Sequence, residues 1–237
     1  MPITYPETVS GVPARAPKPS PVPQTEDPLV HLPRGRTLEF RKGDVIYGHE
    51  QASRYLYLVV EGRVAVSLVT SESRPVIVDI YQTDDLFNER AFVPFGTHPE
   101  SAVALDHARV MDWEIAEVEE LMIRKPRLGI ALLQLVAQRS FDMAARIESF
   151  SVDTIPQRLA RSLLVLSDRL GEKNPDGSIQ MIPLTHEFLS QYVGTSREII
   201  THHMNDFRRQ GFLRYSRRGI ELDRSARKEW FRTALAA

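Results

Sequence analysis

From about Leu38 to Trp113 the apolar residues come in short runs rich in β-branched and aromatic side chains. Val45-Ile46-Tyr47, Tyr55 to Val60, Arg63 to Val69 and Val76 to Tyr81 each predict a strand. Turn-forming residues separate them at Lys42-Gly43-Asp44, Glu61-Gly62 and Ser71-Glu72-Ser73-Arg74-Pro75. Strands this short at this spacing predict an antiparallel roll or barrel.

The period then lengthens. Ile115 to Arg124 reads as a short helix, stopped before Pro126. Arg127 to Ser149 reads as a longer helix with Leu128, Leu132, Leu135, Val136, Met143 and Ile147 on one side. A long, narrow stripe suits packing along a partner helix in a parallel dimer. Packing on the chain's own roll would use the same residues, and the pattern alone does not separate the two. Ser149 to Asp153 is a candidate hinge. Thr154 to Leu170 is again helical, with Leu159, Leu163, Leu166 and Leu170 on one face. Asn174-Pro175-Asp176-Gly177 is a strong turn signal.

The last fifty residues carry the chemistry. Leu184 to Tyr192 predicts a helix with Thr185 as its N-cap and Phe188, Leu189 and Tyr192 facing inward. Val193-Gly194-Thr195 makes a tight turn. Thr195 and Glu198 have capping-box spacing, which predicts a second helix to about Gln210. Its apolar positions are Ile199, Ile200, Met204 and Phe207, leaving Arg197, Glu198, Thr201, His202 and Asn205 on the other side. Two such helices around a three-residue glycine turn form a helix-turn-helix. In that motif the start of the second helix meets base edges. Arg197 can donate twice to guanine, Glu198 can accept from cytosine, and His202 sits one turn on. For an isolated helix an Arg-Glu start would be a solvated face; the neighbouring elements here favour base reading. Leu213-Arg214-Tyr215 and Ile220-Glu221-Leu222 predict a hairpin around Ser216-Arg217-Arg218-Gly219, an arginine turn suited to phosphates. Thr185, Thr195, Ser196, Thr201 and Arg208 join Arg217 and Arg218 as candidate phosphate contacts, and Arg209 adds nearby charge. Arg224 to Ala236 predicts a closing helix with Trp230 and Leu235.

Charge supports this division. The net charge is −1, but Phe150 to Ala237 hold 14 Lys+Arg against 10 Asp+Glu, while the rest hold 16 against 21. A basic C-terminal part behind an acidic one suggests a polyanion-binding module. The absence of cysteine excludes disulfides, thiolate metal sites and cysteine nucleophiles. No apolar run reaches the roughly 18 residues of a membrane span. Residues 1 to 28 carry eight prolines and predict an extended or disordered tail. With no basic-then-apolar leader, the cytoplasm is the expected location.

Gly194-Thr195-Ser196-Arg197-Glu198, with Asn174 to Gly177 ahead and Phe212-Leu213 behind, resembles the catabolite activator/fumarate-nitrate (CRP/FNR) regulator family. Gly43-Asp44 and Tyr55 to Gly62 are similar to the same family's β-roll. The resemblance runs from about Leu29 to Leu235. It implies an α+β chain: a tail (1–28), a cyclic-nucleotide-binding-like β-roll (29–125), a dimerisation helix (126–149) and a winged helix-turn-helix (150–237). It also implies a homodimer on a palindromic operator in double-stranded DNA, and contact with RNA polymerase if the protein activates. Relatives with Arg, Glu and a second Arg on this helix read TGTGA-like half-sites; His202 in the third place implies an altered half-site.

The resemblance further points to an effector pocket, changed here. Glu89 stands where relatives hold a ribose hydroxyl. Asn88 replaces a glycine, and Glu100 replaces the arginine of an Arg-Ser-Ala, followed by Ser101. Carboxylate for guanidinium turns attraction into repulsion, on the order of 4 kcal/mol near 4 Å at an effective dielectric of 20. Arg90 is the one nearby group that can swing in and compensate. Phe141 and Asp142 fall where relatives contact the base. Cyclic AMP is therefore not the expected effector, and no cofactor is expected. His31, His49, His98 and His107 are isolated and give no haem ligand, and no His/Asp/Glu pair shows metal-site spacing. A receptor whose winged helix binds protein is the alternative. No catalytic motif supports an enzyme, and Glu117, Glu119 and Glu120 read as a solvated helix face.

Overall fold

The computed structural model describes residues 25–48, 54–69, 75–93 and 100–234. The N-terminal part is a roll of two four-stranded sheets. β1 (Arg36–Phe40), β3 (Tyr55–Glu61), β6 (Leu86–Phe87) and β8 (Ala108–Glu114) form one, in the order β1-β8-β3-β6. β2 (Val45–Tyr47), β4 (Arg63–Val69), β5 (Pro75–Gln82) and β7 (Glu100–Ala104) form the other, in the order β2-β7-β4-β5. All pairings are antiparallel, as the spacing predicts. The four predicted strands are found within a residue of their ends. β1, β6, β7 and β8 complete the roll; each lacks the dense β-branched run that marks the others.

Alternation along the strands turns Val59, Val64, Val66, Phe87, Ala102 and Val110 inward, each nearly or fully buried. Tyr47, Tyr57, Phe87 and Tyr81 stack through this interior. The β3–β4 turn needs Gly62: its φ is +84°, and a Cβ there would lie 2.2 Å from the His107 carbonyl oxygen.

α1 (Ile115–Arg124) follows, then α2 (Pro126–Val152), a helix of 27 residues. α2 carries two apolar stripes, and the single stripe read from the sequence divides between them. Leu128, Ala131 and Leu132 are buried against the chain's own roll, with Leu135 packed beside them. Leu133, Val136, Met143, Ile147 and Phe150 are exposed on another face. With Ser140 they advance by alternating steps of three and four residues, the a/d spacing of a coiled-coil seam. The predicted hinge at Ser149–Asp153 is shorter: α2 runs through Val152, and Asp153-Thr154 alone make the break. The last residues of the predicted tail are fixed as well. The Glu26 N–H donates to Gln134 Oε1 of α2 at 2.8 Å, and Asp27 caps a 3-10 turn over Pro28–Val30. Residues 1–24 lie outside the described residues.

α3 (Ile155–Leu170) begins on a capping box between Thr154 and Gln157. Leu159, Leu163, Leu166 and Leu170 are buried, each contributing about 1.5–3 kcal/mol of transfer free energy. β9 (Gly171–Lys173) and β10 (Ile179–Met181) flank the Asn174–Gly177 turn. α4 (His186–Val193), α5 (Arg197–Arg209), β11 (Leu213–Ser216), β12 (Gly219–Leu222) and α6 (Arg224–Ala234) complete the chain. The third sheet runs β11-β12-β10-β9. Trp230 of α6 packs on Phe207 and Phe212; Leu235 lies outside the described residues. Ala65, Ile77 and Ile80 of the roll join the same apolar cluster as Leu189 and Tyr192 of α4, so the two halves share a core.

Candidate nucleic-acid interface and effector pocket

α4 starts where predicted, with Thr185 Oγ1 accepting from the Phe188 N–H at 3.0 Å. It ends at Gly194, whose φ of +74° and contact with Phe150 leave no room for a Cβ. α5 starts one residue later than the capping-box reading requires. Ser196 is its N-cap, accepting from the Ile199 N–H at 3.3 Å, and Thr195 belongs to the turn, its N–H bonded to the Ser190 carbonyl. Ser is the better N-cap of the two, and it prevails here over the capping-box spacing of Thr195 and Glu198. Ile200, Met204 and Phe207 are buried as expected; Ile199 is exposed, one of four apolar residues where the inward face holds three.

Arg197, Glu198 and His202 are all exposed on the outer face of α5. The Glu198 carboxyl is held below its usual range by its own backbone N–H at the helix start and by the Ser196 hydroxyl, so it is an acceptor at neutral pH. Behind this face stands a polar brace. His186 Nδ1 lies 2.8 Å from Thr201 Oγ1, which donates to the Arg197 carbonyl at 2.8 Å. The Tyr215 hydroxyl bonds to Asn205 Oδ1 at 3.0 Å, and Arg208 lies over the Tyr215 ring. Thr201 is thus half-buried and engaged within the domain. Burial, then Arg197, pushes the His186 imidazole below its ordinary value, keeping it neutral. β11 and β12 close on Arg217 and Arg218, both exposed, as are Arg208, Arg209, Thr185 and Ser196.

Asp206 accepts from Arg209 and lies 3.2 Å from His202 Nε2, with His203 also close. Their donor atoms fall within 4.8 Å of one another. His202 and Asp206 therefore do have a one-turn spacing that linear inspection passed over; Arg209 holds Oδ1 of the carboxylate and the two histidines face Oδ2.

Between the roll, α2 and α3 lies a cavity of about 570 Å³. Asn88, Glu89, Arg90, Glu100 and Asp142 line it, as the sequence suggests. Asn88 replaces glycine at a φ of +67°, which Asn tolerates better than most residues, and its side chain donates to the Tyr55 carbonyl. Arg90 does turn in, and is taken by Glu100 at 2.6 Å. Two expectations fail here. Phe141 stands about 200° around α2 from the cavity-facing Arg139 and is exposed. Ser101 alternates away from Glu100 along β7 and bonds to Ser67 across the sheet. Sequence reasoning missed Arg139, which ion-pairs with Glu89, donates to the Leu86 carbonyl and lies 4.8 Å over Tyr81. It also missed Arg146, Arg158, Arg161 and Arg169. Arginines recurring along two polar helix faces carry no one-dimensional mark of convergence.

Residues 37–125 match the cyclic nucleotide-binding domain family, and residues 157–227 the Crp-like helix-turn-helix domain family. The CRP-like cAMP-activated global transcriptional regulator of Mycobacterium tuberculosis is 23% identical over 190 residues, covering 80% of this chain and 85% of its own. A transcriptional regulator of the CRP/FNR family from Thermus thermophilus superposes with a TM-score of 0.68 at 27% identity, covering 82% and 97% of the two chains. FixK2 of Bradyrhizobium japonicum shares the fold, with a TM-score of 0.70 at 22% identity and coverage of 81% and 94%. No helix among the described residues is long and apolar enough to cross a membrane.

Proposed function

The chain belongs to the CRP/FNR family of transcription regulators, and on that premise we propose that it binds a palindromic operator as a homodimer, without cyclic AMP as its signal. The observation that carries this reading is the exposed outer face of α5 with Arg197, Glu198 and His202, in a domain whose β11–β12 turn also exposes Arg217 and Arg218. The first three read base edges, Arg197 on a guanine and Glu198 on a cytosine. Arg208, Arg217 and Arg218, with Thr185, Thr195 and Ser196 at the turn and helix starts, set register on phosphates. Thr201 supports this surface through His186 and the Arg197 carbonyl. The a/d seam of α2 is the dimer contact, which places two α5 helices on half-sites about one helical turn apart.

Cyclic AMP is a poor fit because both charged anchors are engaged. Arg139 holds the Glu89 carboxylate, and Glu100 holds Arg90. A cyclic phosphate would have to break the second pair and then sit beside a carboxylate. The site of action is the cytoplasm, with RNA polymerase as a further partner if the protein activates.

The test is selection of duplexes from a random library by the purified chain, with and without cyclic AMP. The proposal expects one palindrome enriched equally in both. Enrichment only with the nucleotide overturns the ligand reading, and no enrichment in either overturns the operator reading.

A further inference from the structure

Among the described residues, three buried side-chain polar atoms have no hydrogen-bond partner: Tyr47 Oη, Arg109 Nε and Arg158 Nε. Two of them, Tyr47 Oη and Arg158 Nε, belong to residues lining the same cavity. An orphaned buried donor costs about 1–3 kcal/mol, so two at one cavity call for a ligand. Tyr47 is 7% exposed and stacked on Tyr57 and Phe87, so its hydroxyl cannot swing out to water.

We infer that this cavity takes an elongated apolar organic acid, its carboxylate on Arg158 and a neutral oxygen at its far end on Tyr47. The inference rests on reading the roll as the sensor half of the regulator. The two ends differ in charge. Near Tyr47 the Glu89–Arg139 and Arg90–Glu100 pairs cancel, and their carboxylates repel a second anion there. At the other end Arg161 is balanced by Asp153 and Arg169 by Asp79. Arg158 donates to the carbonyls of Val193, Phe150 and Asp153 at 3.3–3.4 Å and lies 4.5 Å over the Phe150 ring, with no carboxylate against it. Arg146 likewise donates to carbonyls and lies over the Tyr192 ring. Asp142, whose amide partner is Gln138, is the one carboxylate to set against these two guanidiniums. A single carboxylate therefore fits the Arg158 end, and a hydroxyl or carbonyl fits the Tyr47 end.

In the sheet order β2-β7-β4-β5, β7 and β4 stand between Tyr47 on β2 and the β5 residues Asp79 and Ile80 that meet Arg169 of α3. Val66, Leu68, Val78, Met143 and Val165 put apolar walls along the cavity. Its volume of about 570 Å³ lies within the range of roughly 300–1,000 Å³ found for small-molecule sites. Arg158 sits in α3, just past the Asp153-Thr154 break. A carboxylate bound there touches the helix that leads into the DNA-binding half, whereas the Tyr47 end touches the roll and α2.

The test uses the full chain and isothermal titration with three probes: ω-hydroxydecanoate, decanoate and decanol. The hydroxy acid should bind tightest, decanoate roughly fivefold weaker for loss of a neutral hydrogen bond, and decanol, which keeps an oxygen for Tyr47 but lacks the carboxylate, roughly thirtyfold weaker than the hydroxy acid for loss of a charge-assisted one. Tyr47→Phe should abolish the difference between the two acids while leaving decanoate affinity unchanged. Arg158→Gln should abolish the difference between the hydroxy acid and decanol. If Arg158→Gln does not fold, the Tyr47→Phe comparison alone decides. Failure of both acids to bind, or a Tyr47→Phe protein that still prefers the hydroxy acid, overturns the inference. Operator binding by the same unliganded samples is measured separately, so loss of the regulator reading registers apart from loss of the ligand.

Discussion

Arg139 of α2 and Glu89, in the 3-10 turn that follows β6, close on each other across the boundary between helix and roll, each with a side chain less than one-fifth exposed. The contact uses the carboxylate that the family resemblance assigns to a ribose. It also joins α2 to the roll near the start of the helix's free half.

Arg139→Gln should therefore destabilise the protein by about 2–4 kcal/mol, because it strands a partly buried carboxylate. Glu89→Gln combined with Arg139→Gln should recover part of that loss. Urea denaturation of the two single variants and the double variant gives the coupling energy. A double variant as unstable as the sum of the singles would mean that the pair does not interact.

The two arginine sets of the DNA-binding half should separate by salt and sequence. Arg197→Ala should weaken binding to the selected palindrome by about 1–3 kcal/mol and relax preference at one base pair. Arg217→Ala should weaken all duplexes alike and lower the slope of log affinity against log salt by about one. Equal loss on specific and random DNA in the Arg197 variant would remove it from base reading.

The exposed seam of α2 predicts oligomeric state. Ile147→Glu sets two carboxylates against each other inside an apolar contact, and should raise the dimer dissociation constant at least about a hundredfold. Sedimentation equilibrium reads this directly. Phe141→Glu, off the seam on the same helix, should leave the dimer intact.

Stability should fall on acidification through His186. Its pKa in the fold is depressed below the ordinary 6.5, first by burial and then by Arg197. A depressed value means that the unfolded chain binds the proton more readily. The contribution is complete above 6.5 and is lost as the pH drops toward the lowered value. His203, also depressed, chiefly by burial, acts in the same direction. Between about pH 7 and pH 5 the urea midpoint should drop less in His186→Asn than in the parent. Parallel curves would mean that burial and Arg197 do not depress the imidazole.

How much of this was legible in the sequence depends on distance along the chain. The wing, the caps and turn of the helix-turn-helix, and the outer face of α5 follow from residues within one or two turns of each other, and there the linear pattern is informative. Even so, the capping-box spacing of Thr195 and Glu198 points to the wrong residue of the adjacent pair, since Ser196 is the intrinsically better cap. The cavity draws on residues from Tyr47 to Tyr192, and its composition follows from register. One step along β7 separates Glu100 from Ser101, and two along α2 separate Arg139 from Phe141. The motif residues Asn88, Glu89, Arg90 and Glu100 of the roll line the cavity, but Arg139 and Arg158 reach it from α2 and α3, outside the residues that carry the resemblance. The two stripes of α2 were read as one because the exposed and buried sets interleave, and only the position of the roll assigns each residue to a side.

Arg146 has a consequence for how such proteins can be recombined. Its guanidinium donates to the Ile77 and Val78 carbonyls of β5 and to the Tyr192 carbonyl of α4, and it lies 4.4 Å over the Tyr192 ring. One side chain thus satisfies backbone from both halves of the molecule, over an apolar cluster they share. The sensor and the reader are not interchangeable cassettes. A chimera that grafts this winged helix onto a relative's roll would bring two mismatched surfaces together unless β5 travelled with α4, and an exchange that respects the seam has to cut through the sheet rather than at the hinge.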